Sequence, residues 1–479
     1  MRKTKIIATL GPSTRSLKAL EELIEAGCNV IRINMSHSSQ EEADAIIQDV
    51  RTLSDEVAIL IDTKGPEVRT TITEGPVELV QGREVLIRGD QEPSTAEVIN
   101  VSYQALPQVI NEGTRVLIAD GQIDLRVEKV ELGQLRCRIH RGGTLTSKKG
   151  VNIPGVKLPM PFLSEQDASD ISFAARQRAD FIAASFVGDA EDVEQVRRLI
   201  AREDAQTCII SKIESQYAVD NLDAIIEASD GVMVARGDLG VEIPAEQVPI
   251  AQKRMIDACR AAGRTVIVAT EMLESMIHNP RPTRAETSDV ANAIFEGADA
   301  VMLSGETSVG KHPFDAIRMM GRIAEITEAE VARRATRPPK GGKGGEVTEL
   351  ICKSAWFAAH ELNLEAILIP TSSGRTARRM SRFRPKAPIL ATTPDMATAR
   401  RLALSYGVYA LPARHFGRVE NMVRRSCQVM LDAGLLSEDG LIAVAAGVPV
   451  GRTGSTNLLS IQSVSDVMGR RTFEDEEPK

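Results

Sequence analysis

The sequence predicts an α/β protein in which a (β/α)8 (TIM) barrel is interrupted by an inserted β-barrel-like lid domain and followed by a C-terminal α/β domain. Two observations predict this fold. A run of β-branched residues, a polar turn and an amphipathic helical pattern recur as a unit, and eight such strands can be counted between residues 5 and 307. Between residues 68 and 162 the pattern changes to alternating apolar and polar residues with turn signals. Eight units of roughly 25 to 35 residues favour a closed barrel over an open doubly wound sheet.

The composition indicates a globular protein of two or three domains without an excess of basic charge. Apolar residues make up 43% of the 479 residues, which is too many for a disordered chain. The 58 Lys and Arg residues are outnumbered by 66 Asp and Glu residues, which argues against a nucleic-acid partner. The six cysteines are scattered, with no spacing typical of disulfides or zinc sites. The N-terminal apolar run is too short for a signal peptide. No apolar run approaches the 18 residues that a membrane-spanning helix needs. We therefore expect a cytoplasmic protein with reduced thiols and no membrane partner.

Residues 1–67 carry the first three predicted barrel strands. These strands are predicted at 5–11, 30–37 and 57–66, with helices at 16–26 and 40–53. The lid domain is predicted at 68–162, with antiparallel strands joined by tight turns.

The second part of the barrel is predicted at 163–337 and begins with a helix from Ser164. Five further strands, each followed by a helical pattern, are predicted at 180–187, 207–214, 231–238, 265–272 and 300–307.

A segment rich in proline and glycine, residues 337–346, is a predicted linker to a C-terminal domain at 338–479. Five strands are predicted there, at 365–370, 387–394, 407–413, 441–447 and 456–464. The polar tail from Thr472 is expected to be frayed.

Polar residues stand at the carboxyl end of nearly every predicted barrel strand, where barrel enzymes place their active sites. They are Arg32, Asn34, Ser36, Asp62, Thr63, Lys64, Ser185, Lys212, Glu214, Arg236, Asp238, Thr270, Ser304 and Glu306. For any one of them, a solvated loop residue is an equally good interpretation. For the whole set, the loop interpretation is less convincing. Arg32 and Lys212 lie within apolar strand sequence, where burying a charge without a partner costs several kcal/mol.

These residue types suit phosphoryl or enolate chemistry. Glu214 and Asp238 are hard oxygen ligands for Mg²⁺ or Mn²⁺. Lys212 and Arg32 can neutralise a transferring phosphoryl group. The oxygens of four neighbouring strand-end residues could form a cage for a monovalent cation, although an ordinary hydrogen-bond network is roughly three times likelier on chemistry alone. The four are Asn34, Ser36, Asp62 and Thr63.

Three other sequence features bear on ligand binding. The stretch 305–312 nearly matches a P-loop, but His312 replaces the hydroxyl that would bind Mg²⁺. The histidines are isolated and show no metal-ligand spacing. Two loops of the C-terminal domain, 371–376 and 447–457, each follow a strand and carry hydroxyls, glycines and an arginine, which suits a phosphorylated small molecule. The candidate effector residues are Thr371, Ser372, Ser373, Gly374, Arg375, Thr376, Arg452 and Gly454.

The sequence resembles pyruvate kinase over nearly its whole length. The motifs that carry the resemblance occur in order along the chain: KIIATLGPS, IRINMSH, DTKGPEVRT, IISKIE, MVARGDLGVEIP, ATEMLESM, RPTRAE, SDVANA, MLSGET and SRFRPKAPILATTP. The resemblance implies a barrel interrupted after its third strand by a mobile lid, and a C-terminal α/β effector domain. It also implies a homotetramer that transfers a phosphoryl group from phosphoenolpyruvate to ADP, giving ATP and pyruvate in glycolysis.

The resemblance also implies roles for individual residues. Glu214 and Asp238 would bind the divalent metal, Arg32 the phosphoryl group, and Lys212 the phosphoryl group and the enolate. Thr270, with the backbone near Gly237 and Asp238, would contact the substrate carboxylate region. Ser304 and Glu306 resemble a water network through which the enolate is protonated, and water and Ser304 both remain candidates for the final donor. The potassium ligands would be Asn34, Ser36, Asp62 and Thr63, and the nucleotide contacts Asn34, His37 and Arg69.

The chain departs from the family pattern at two places, and one further residue bears on potassium. Gln166 replaces a common lysine, and Gly188-Asp189 replaces a common basic pair, which puts nucleotide affinity in doubt. Glu67 matches the glutamate of potassium-dependent members. The effector stays open between fructose 1,6-bisphosphate, a sugar monophosphate and AMP, and the two loops could also be unused.

Two rival functions remain at this point. A metal-dependent lyase or aldolase acting on pyruvate enolates would need no ADP. A catalytically silent metabolite sensor would be free to lose Lys212, Glu214, Asp238 and Thr270, all of which are present.

Overall fold

A computed structural model describes residues 1–335, 337–338, 347–414, 417–449 and 456–469. The first part of the barrel comprises β1 (Lys5–Thr9), α1 (Leu17–Glu25), β2 (Val30–Asn34), α2 (Gln40–Leu53) and β3 (Ala58–Asp62). Helix α2 has the predicted bounds because the Ser39 hydroxyl accepts from the Glu42 amide while the Glu42 carboxylate accepts from the Ser39 amide. Ser16 caps α1 with a single hydrogen bond, in which its hydroxyl accepts from the Ala19 amide.

The lid domain follows β3 and has its own apolar core. It comprises β4 (Val77–Leu79), β5 (Glu84–Arg88), β6 (Val98–Asn100), α3 (Leu106–Val109), β7 (Arg115–Ile118), β8 (Ile123–Glu131), β9 (Gln134–Arg141), β10 (Gly143–Leu145) and β11 (Val151–Asn152). Six strands form one sheet in the order β11-β7-β8-β9-β5-β6, and β10 pairs with β4. The expectation of purely antiparallel pairing was wrong for β5 and β6, which run parallel. Residues 89–97 form a longer connection containing Pro93, so the chain crosses over before it pairs again.

The second part of the barrel closes the sheet. It comprises α4 (Glu165–Arg176), β12 (Phe181–Ala184), α5 (Ala190–Arg202), β13 (Cys208–Ile213), α6 (Gln216–Asp220), α7 (Leu222–Ala228), β14 (Gly231–Ala235), α8 (Arg236–Glu242), α9 (Val248–Ala262), β15 (Thr265–Ala269), α10 (Arg284–Glu296), β16 (Ala300–Leu303), α11 (Gly305–Ser308) and α12 (Pro313–Arg334), with short 3-10 turns at Ala245–Gln247 and Glu274–Ile277. The strand order β1-β16-β15-β14-β13-β12-β3-β2 forms a closed parallel barrel, which confirms the predicted fold class.

Apolar side chains fill the barrel, so its interior is a core and not a channel. Ile7, Leu60, Met233 and Ile267 belong to this cluster. Leu404, from the C-terminal domain, joins it at the amino-terminal end of the strands. Among the described residues, the barrel opens toward a cleft at its carboxyl-terminal end, beneath the lid.

The C-terminal domain is a five-stranded sheet with helices on both faces. It comprises α13 (Val347–Glu361), β17 (Ala366–Pro370), α14 (Arg375–Ser381), β18 (Ile389–Thr393), α15 (Met396–Arg401), β19 (Val408–Pro412), α16 (Val419–Asp432), β20 (Leu441–Gly447), β21 (Thr456–Ser463) and α17 (Val464–Gly469). The order is β19-β18-β17-β20-β21, with β21 antiparallel to β20. Most of the predicted linker and the whole polar tail lie outside the described residues. Across the described ranges, none of the helices has the length and apolar character needed to cross a membrane.

Candidate active site

Three charged side chains from different strands meet at the open end of the barrel. Arg32 lies on β2, Asp62 is the last residue of β3, and Lys212 lies near the end of β13. All three are largely buried: Arg32 is 9% exposed, Asp62 is 1% exposed, and the Lys212 side chain is 12% exposed. Because parallel strands end at the same rim, charges placed far apart in sequence become neighbours here.

Asp62 links the two cations. Its Oδ2 accepts a hydrogen bond from Arg32 Nε at 2.6 Å, and its Oδ1 accepts one from Lys212 Nζ at 3.2 Å. Ser185, at the end of β12, donates to Asp62 Oδ1 at 3.3 Å and accepts from Lys212 Nζ at 2.6 Å. Arg32 also donates to Thr9 Oγ1 on β1 at 3.0 Å. Five strands are thus tied together by one buried polar network.

The network fixes the charge of its members. Burial alone would raise the pKa of Asp62, but Arg32 and Lys212 outweigh it and hold that pKa below its usual value. Burial alone would lower the pKa of Lys212, but Asp62 and Glu214 outweigh it and raise that pKa. Lys212 therefore carries its full positive charge throughout the physiological pH range.

Glu214 follows β13 and is 1% exposed. Its Oε2 accepts from the Phe186 amide at 2.5 Å, and its Oε1 lies 2.9 Å from Lys212 Nζ. Oε1 nevertheless receives no well-aligned hydrogen bond from the described part of the chain, so one lone-pair direction of a buried carboxylate is unused. Burial, and to a lesser degree the charge of Asp238, raise the pKa of Glu214 to about 7 against the opposing effect of Lys212.

Glu214 and Asp238 are suited to a divalent cation. Both line the same cleft, and Asp238 is exposed to it. Among the described residues, no group of three or more His, Cys, Asp or Glu side chains forms a complete metal site. In phosphoryl-transfer sites, Mg²⁺ favours coordination by one or two carboxylates, with water and substrate oxygens filling the other coordination positions. A cation here would use the free Oε1 and offset the repulsion between the two carboxylates.

The β14 and β15 ends form a second wall of the site. Thr270 follows β15 with a φ of 66°, a left-handed conformation that is uncommon for a threonine, and its Oγ1 accepts from the Gly237 amide at 2.8 Å. Arg236 donates to the backbone oxygens of Ala269 at 3.3 Å and Thr270 at 2.7 Å. The Arg236 guanidinium is itself held by Asp289 at 2.7 Å. This strained turn therefore has a dedicated support that sequence analysis did not identify.

Ser304 and Glu306 follow β16. Glu306 is completely buried, and its carboxylate accepts from the amides of Leu273 at 2.9 Å and Ser304 at 2.7 Å. It therefore joins the loops after β15 and β16 rather than facing the cleft. Ser304 is half-buried and lies at the rim.

The remaining predicted site residues of the first barrel part lie at the ends of β2 and β3. Asn34 pairs with Asp62 in the β2–β3 register, and Asn34 Oδ1 accepts from the Ser36 amide at 3.0 Å. Ser36 and His37 are exposed. Thr63 is buried, and its Oγ1 accepts from the Ser185 amide at 3.1 Å. The four proposed potassium ligands therefore lie on adjacent strand ends, but the Asp62 carboxylate is already occupied by the two cations.

A cleft of about 850 Å³ lies between the barrel and the lid, which is the size of a small-molecule site. From the lid it is lined by Arg69, Asn152 and Lys157 among others, and from the barrel by Glu214 and Asp238. Charged side chains of the lid, including Arg69, and the carboxylates of Glu214 and Asp238 therefore line the same cleft.

Contacts between lid and barrel flank this cleft. Lys157 Nζ lies 2.9 Å from Asp189 Oδ2 and 4.3 Å from the centre of the Tyr217 ring. Asn152 donates to Glu242 at 3.1 Å. Asp189 thus holds a lid lysine, and it also caps α5.

Gln166 and Arg69 are each paired with a neighbouring carboxylate. Gln166 is exposed and donates to Asp170 at 2.9 Å. Arg69 is paired with Glu67 at 2.7 Å.

The candidate effector loop at 371–376 lies between β17 and α14, far along the chain from the cleft. Thr371 Oγ1 accepts from the Gly374 amide at 3.1 Å, and Gly374 has a φ of 72°. Ser372, Ser373 and Arg375 are exposed. Thr376 exchanges a hydrogen bond with Thr456 at 2.6 Å, which brings β21 beside this loop. The other two effector candidates, Arg452 and Gly454, lie outside the described residues.

Residues 1–317 match the family described as pyruvate kinase, barrel domain, and residues 349–462 match the family described as pyruvate kinase, alpha/beta domain. The chain is 45% identical to a pyruvate kinase of Geobacillus stearothermophilus over 478 residues, covering 98% of the chain and 81% of that protein. It is 44% identical to a pyruvate kinase of Bacillus licheniformis over 479 residues, covering 98% and 82%. A solved pyruvate kinase of Cryptosporidium parvum superposes with a TM-score of 0.90 at 37% identity, covering 97% of this chain and 96% of that one.

Proposed function

The chain is an enzyme of the pyruvate kinase family, and from this premise we propose that its barrel mouth transfers the phosphoryl group of phosphoenolpyruvate to ADP. The products are ATP and pyruvate. The observation that carries the proposal is the buried convergence of Arg32, Asp62, Lys212 and Glu214 beneath the lid. It offers fixed positive charge beside a carboxylate oxygen that is paired with Lys212 but receives no well-aligned hydrogen bond, an arrangement suited to phosphoryl transfer.

Each residue has a separate task in this proposal. Glu214 and Asp238 would hold Mg²⁺ or Mn²⁺, which supplies charge neutralisation at the phosphoryl and enolate oxygens. Arg32 binds the phosphoryl group, and Lys212 stabilises both that group and the enolate oxygen. Asp62 keeps both cations aimed at the cleft, since it bonds to each of them. No proton needs to leave Lys212 for this role.

The wall formed by Thr270 and Gly237 would bind the substrate carboxylate. The Gly237 amide and the Thr270 hydroxyl are already within hydrogen-bond distance of each other, at 2.8 Å, so a carboxylate would displace that bond and use both groups. The backbone of Asp238 lies beside them. Arg236 and Asp289 hold this turn in place.

Protonation of the enolate is assigned to the rim formed by Ser304, either by its hydroxyl or by a water bound to it. Glu306 orients Ser304 by accepting its amide hydrogen. Closure of the lid over the cleft would exclude bulk water from the enolate until this step.

The nucleotide is assigned to the outer part of the cleft, against Asn34, His37 and Arg69. A potassium ion is assigned to Asn34, Ser36, Asp62 and Thr63. Because Asp62 already serves two cations, we expect the ion to rely on the other three residues for most of its contacts. We further propose a cytoplasmic homotetramer whose 371–376 loop, with Arg452 and Gly454, binds a phosphorylated metabolite and regulates the active site.

The reaction is tested by a lactate-dehydrogenase-coupled assay with phosphoenolpyruvate, ADP and Mg²⁺, in K⁺ and again in tetramethylammonium. Turnover that requires ADP and falls without K⁺ supports the transfer and the cation site. Pyruvate formed without ADP would instead indicate a lyase, and equal rates in both salts would remove the potassium assignment.

Two substitutions test the roles of individual residues. Lys212→Met should lower kcat by several orders of magnitude, since roughly 3 to 4 kcal/mol is typical for one charge-stabilising donor. Glu214→Gln should also raise the Mg²⁺ concentration needed for half-maximal rate. Lys64→Met is the matched control, because Lys64 follows β3 at the same rim but is exposed. Near-normal turnover of Lys212→Met would contradict the assignment.

A further inference from the structure

A small pocket lies at the opposite end of the barrel, where the amino-terminal ends of the strands meet the C-terminal domain. Arginines from both sides line it: Arg260 and Arg264 from the end of α9, and Arg378 and Arg382 from α14 and its end. The cavity volume is about 10 Å³, which is room for one water-sized group. It is separate from the active-site cleft, and none of the residues 371–376 lines it, although Arg378 contacts that loop.

Several donors in this pocket have no partner. The Nε atoms of Arg260 and Arg382 and the hydroxyl of Ser405 are buried without a hydrogen bond to any group the structure describes. The Arg382 side chain is 9% exposed and Ser405 is 3% exposed. A buried donor left unpaired costs about 1 to 3 kcal/mol, and more when it is charged. Three such donors around one cavity indicate that something in the cavity accepts from them.

The nearby carboxylates are already engaged. Asp299 accepts from the Val266 amide at 2.9 Å and from Arg384 at 3.3 Å. Glu349 pairs with Arg382 through a terminal nitrogen at 2.9 Å, which leaves Arg382 Nε unpaired.

The other arginines of the pocket are compensated only weakly. Arg264 lies 4.0 Å from Asp230 and donates to the Glu227 carbonyl at 2.7 Å. Arg378 donates to the Ser373 carbonyl at 3.0 Å. Burial lowers the pKa of Arg260, with a further lowering by Arg384. The positive charge around the pocket therefore exceeds the negative charge, which favours an anion over a neutral water.

We propose that this pocket binds one compact inorganic anion, of which chloride is the abundant example, between Arg260, Arg382 and Ser405. The size of the cavity excludes a sugar phosphate or a nucleotide. Because the donors come from α9 on one side and from the C-terminal domain on the other, the anion bridges the two domains. Its binding should therefore stabilise their packing.

The direct test is crystallographic. Crystals of the full chain grown in potassium gluconate are soaked in potassium bromide, and bromide is located by its anomalous scattering. We expect a bromide within hydrogen-bond distance of Arg260 and Arg382. Density for a water at this position, with no anomalous signal, would overturn the proposal.

The solution test measures thermal stability as chloride replaces gluconate at constant potassium and ionic strength. The parent chain should be stabilised with a saturable dependence on chloride. Arg260→Gln and Ser405→Ala should each need about tenfold more chloride for the same shift, since each removes one donor. Ser405→Ala changes no charge, so it remains informative if Arg260→Gln does not fold.

The matched control is Arg254→Gln, which removes an exposed arginine from the same helix outside the pocket. It should respond to chloride as the parent does. If the variants and the parent respond alike, a bromide in the crystal would be an adventitious ion only, and the proposal would be wrong. If Arg254→Gln loses the response as fully as Arg260→Gln, general charge screening explains the effect and the pocket does not.

Discussion

Replacing Asp62 by asparagine tests whether one buried carboxylate aligns the two catalytic cations. The change keeps the shape of the side chain but removes its charge. Arg32 would retain only Thr9 among its side-chain partners, and Lys212 would lose one of the two carboxylates that raise its pKa. The amide also presents hydrogens where Asp62 presents acceptors, so one of the two cations would face a donor.

The expected magnitude follows from the burial of the group. Asp62 is 1% exposed and bonds to both cations, and breaking a buried ion pair by removing one partner costs about 3 to 5 kcal/mol. If the loss falls on transition-state stabilisation, kcat/KM should decrease by roughly 10²-fold to 5 × 10³-fold. If part of it falls on folding, the urea midpoint should also decrease.

The coupled assay and urea unfolding are run on Asp62→Asn and on Asp170→Asn. Asp170 is a matched control because it is a buried carboxylate of the same barrel, but it accepts only from the amides of Gln40 and Gln166. We expect Asp170→Asn to stay within a fewfold of the parent. An Asp62→Asn enzyme with kcat/KM within tenfold of the parent and an unchanged urea midpoint would refute the alignment role.

Three further changes are predicted from single contacts. Lys157→Met removes the lid contacts to Asp189 and the Tyr217 ring, worth about 1 kcal/mol together, so hydrogen exchange in residues 152–157 should be about fivefold faster. Burial lowers the pKa of Lys5 to about 7, so the unfolded chain binds more protons between about pH 7 and pH 10, and urea stability should rise with pH in the parent but less in Lys5→Met. Glu306→Gln leaves one buried backbone amide unpaired, so the free energy of unfolding should fall by about 1 to 3 kcal/mol.

Each of these changes has an exposed control of the same residue type. Lys148→Met is the control for the lid, Lys253→Met for the pH dependence, and Glu246→Gln for the buried glutamate. Equal lid exchange in Lys157→Met and Lys148→Met would show that the lid does not depend on this contact. If Lys5→Met keeps the parental pH dependence of urea stability, other groups cause that dependence. If the free energy of unfolding is unchanged in Glu306→Gln, the loops after β15 and β16 do not need both hydrogen bonds to the Glu306 carboxylate.

Local sequence patterns predicted the elements that position the site. Ser39 and Glu42 fix the start of α2, and the apolar run before Lys212 and Glu214 predicted β13 because both features act over a few residues. The strand-end rule then placed Arg32, Asp62 and Lys212 on the same rim. The partner of each was not predictable, because Asp62 pairs with side chains 30 and 150 residues away in the sequence. Its role as a potassium ligand stays a prediction.

The supports around the site were missed for the same reason. Arg236 was noted only as one of the strand-end residues, but it holds the left-handed turn at Thr270 from a neighbouring strand and is anchored by Asp289 on α10. The contact between Lys157 and Asp189 joins the lid to the barrel across 32 residues. No short-range signal reports such pairs, because they depend on barrel closure and on where the lid lies.

The charges at the barrel mouth explain how the buried carboxylate of Glu214 can be kept beside Asp238. Burial and the charge of Asp238 raise the pKa of Glu214 to about 7 against the opposing charge of Lys212, so without a bound cation this group is close to half-protonated at neutral pH. A divalent cation would favour the ionised form, so its binding should release protons from Glu214. Calorimetric titration of the enzyme with Mg²⁺ in two buffers of different ionisation enthalpy should therefore show a buffer-dependent heat near pH 7 that vanishes in Glu214→Gln. Equal heats in both buffers would mean that Glu214 is fully ionised before the metal arrives, and that Lys212 outweighs the burial of its neighbour.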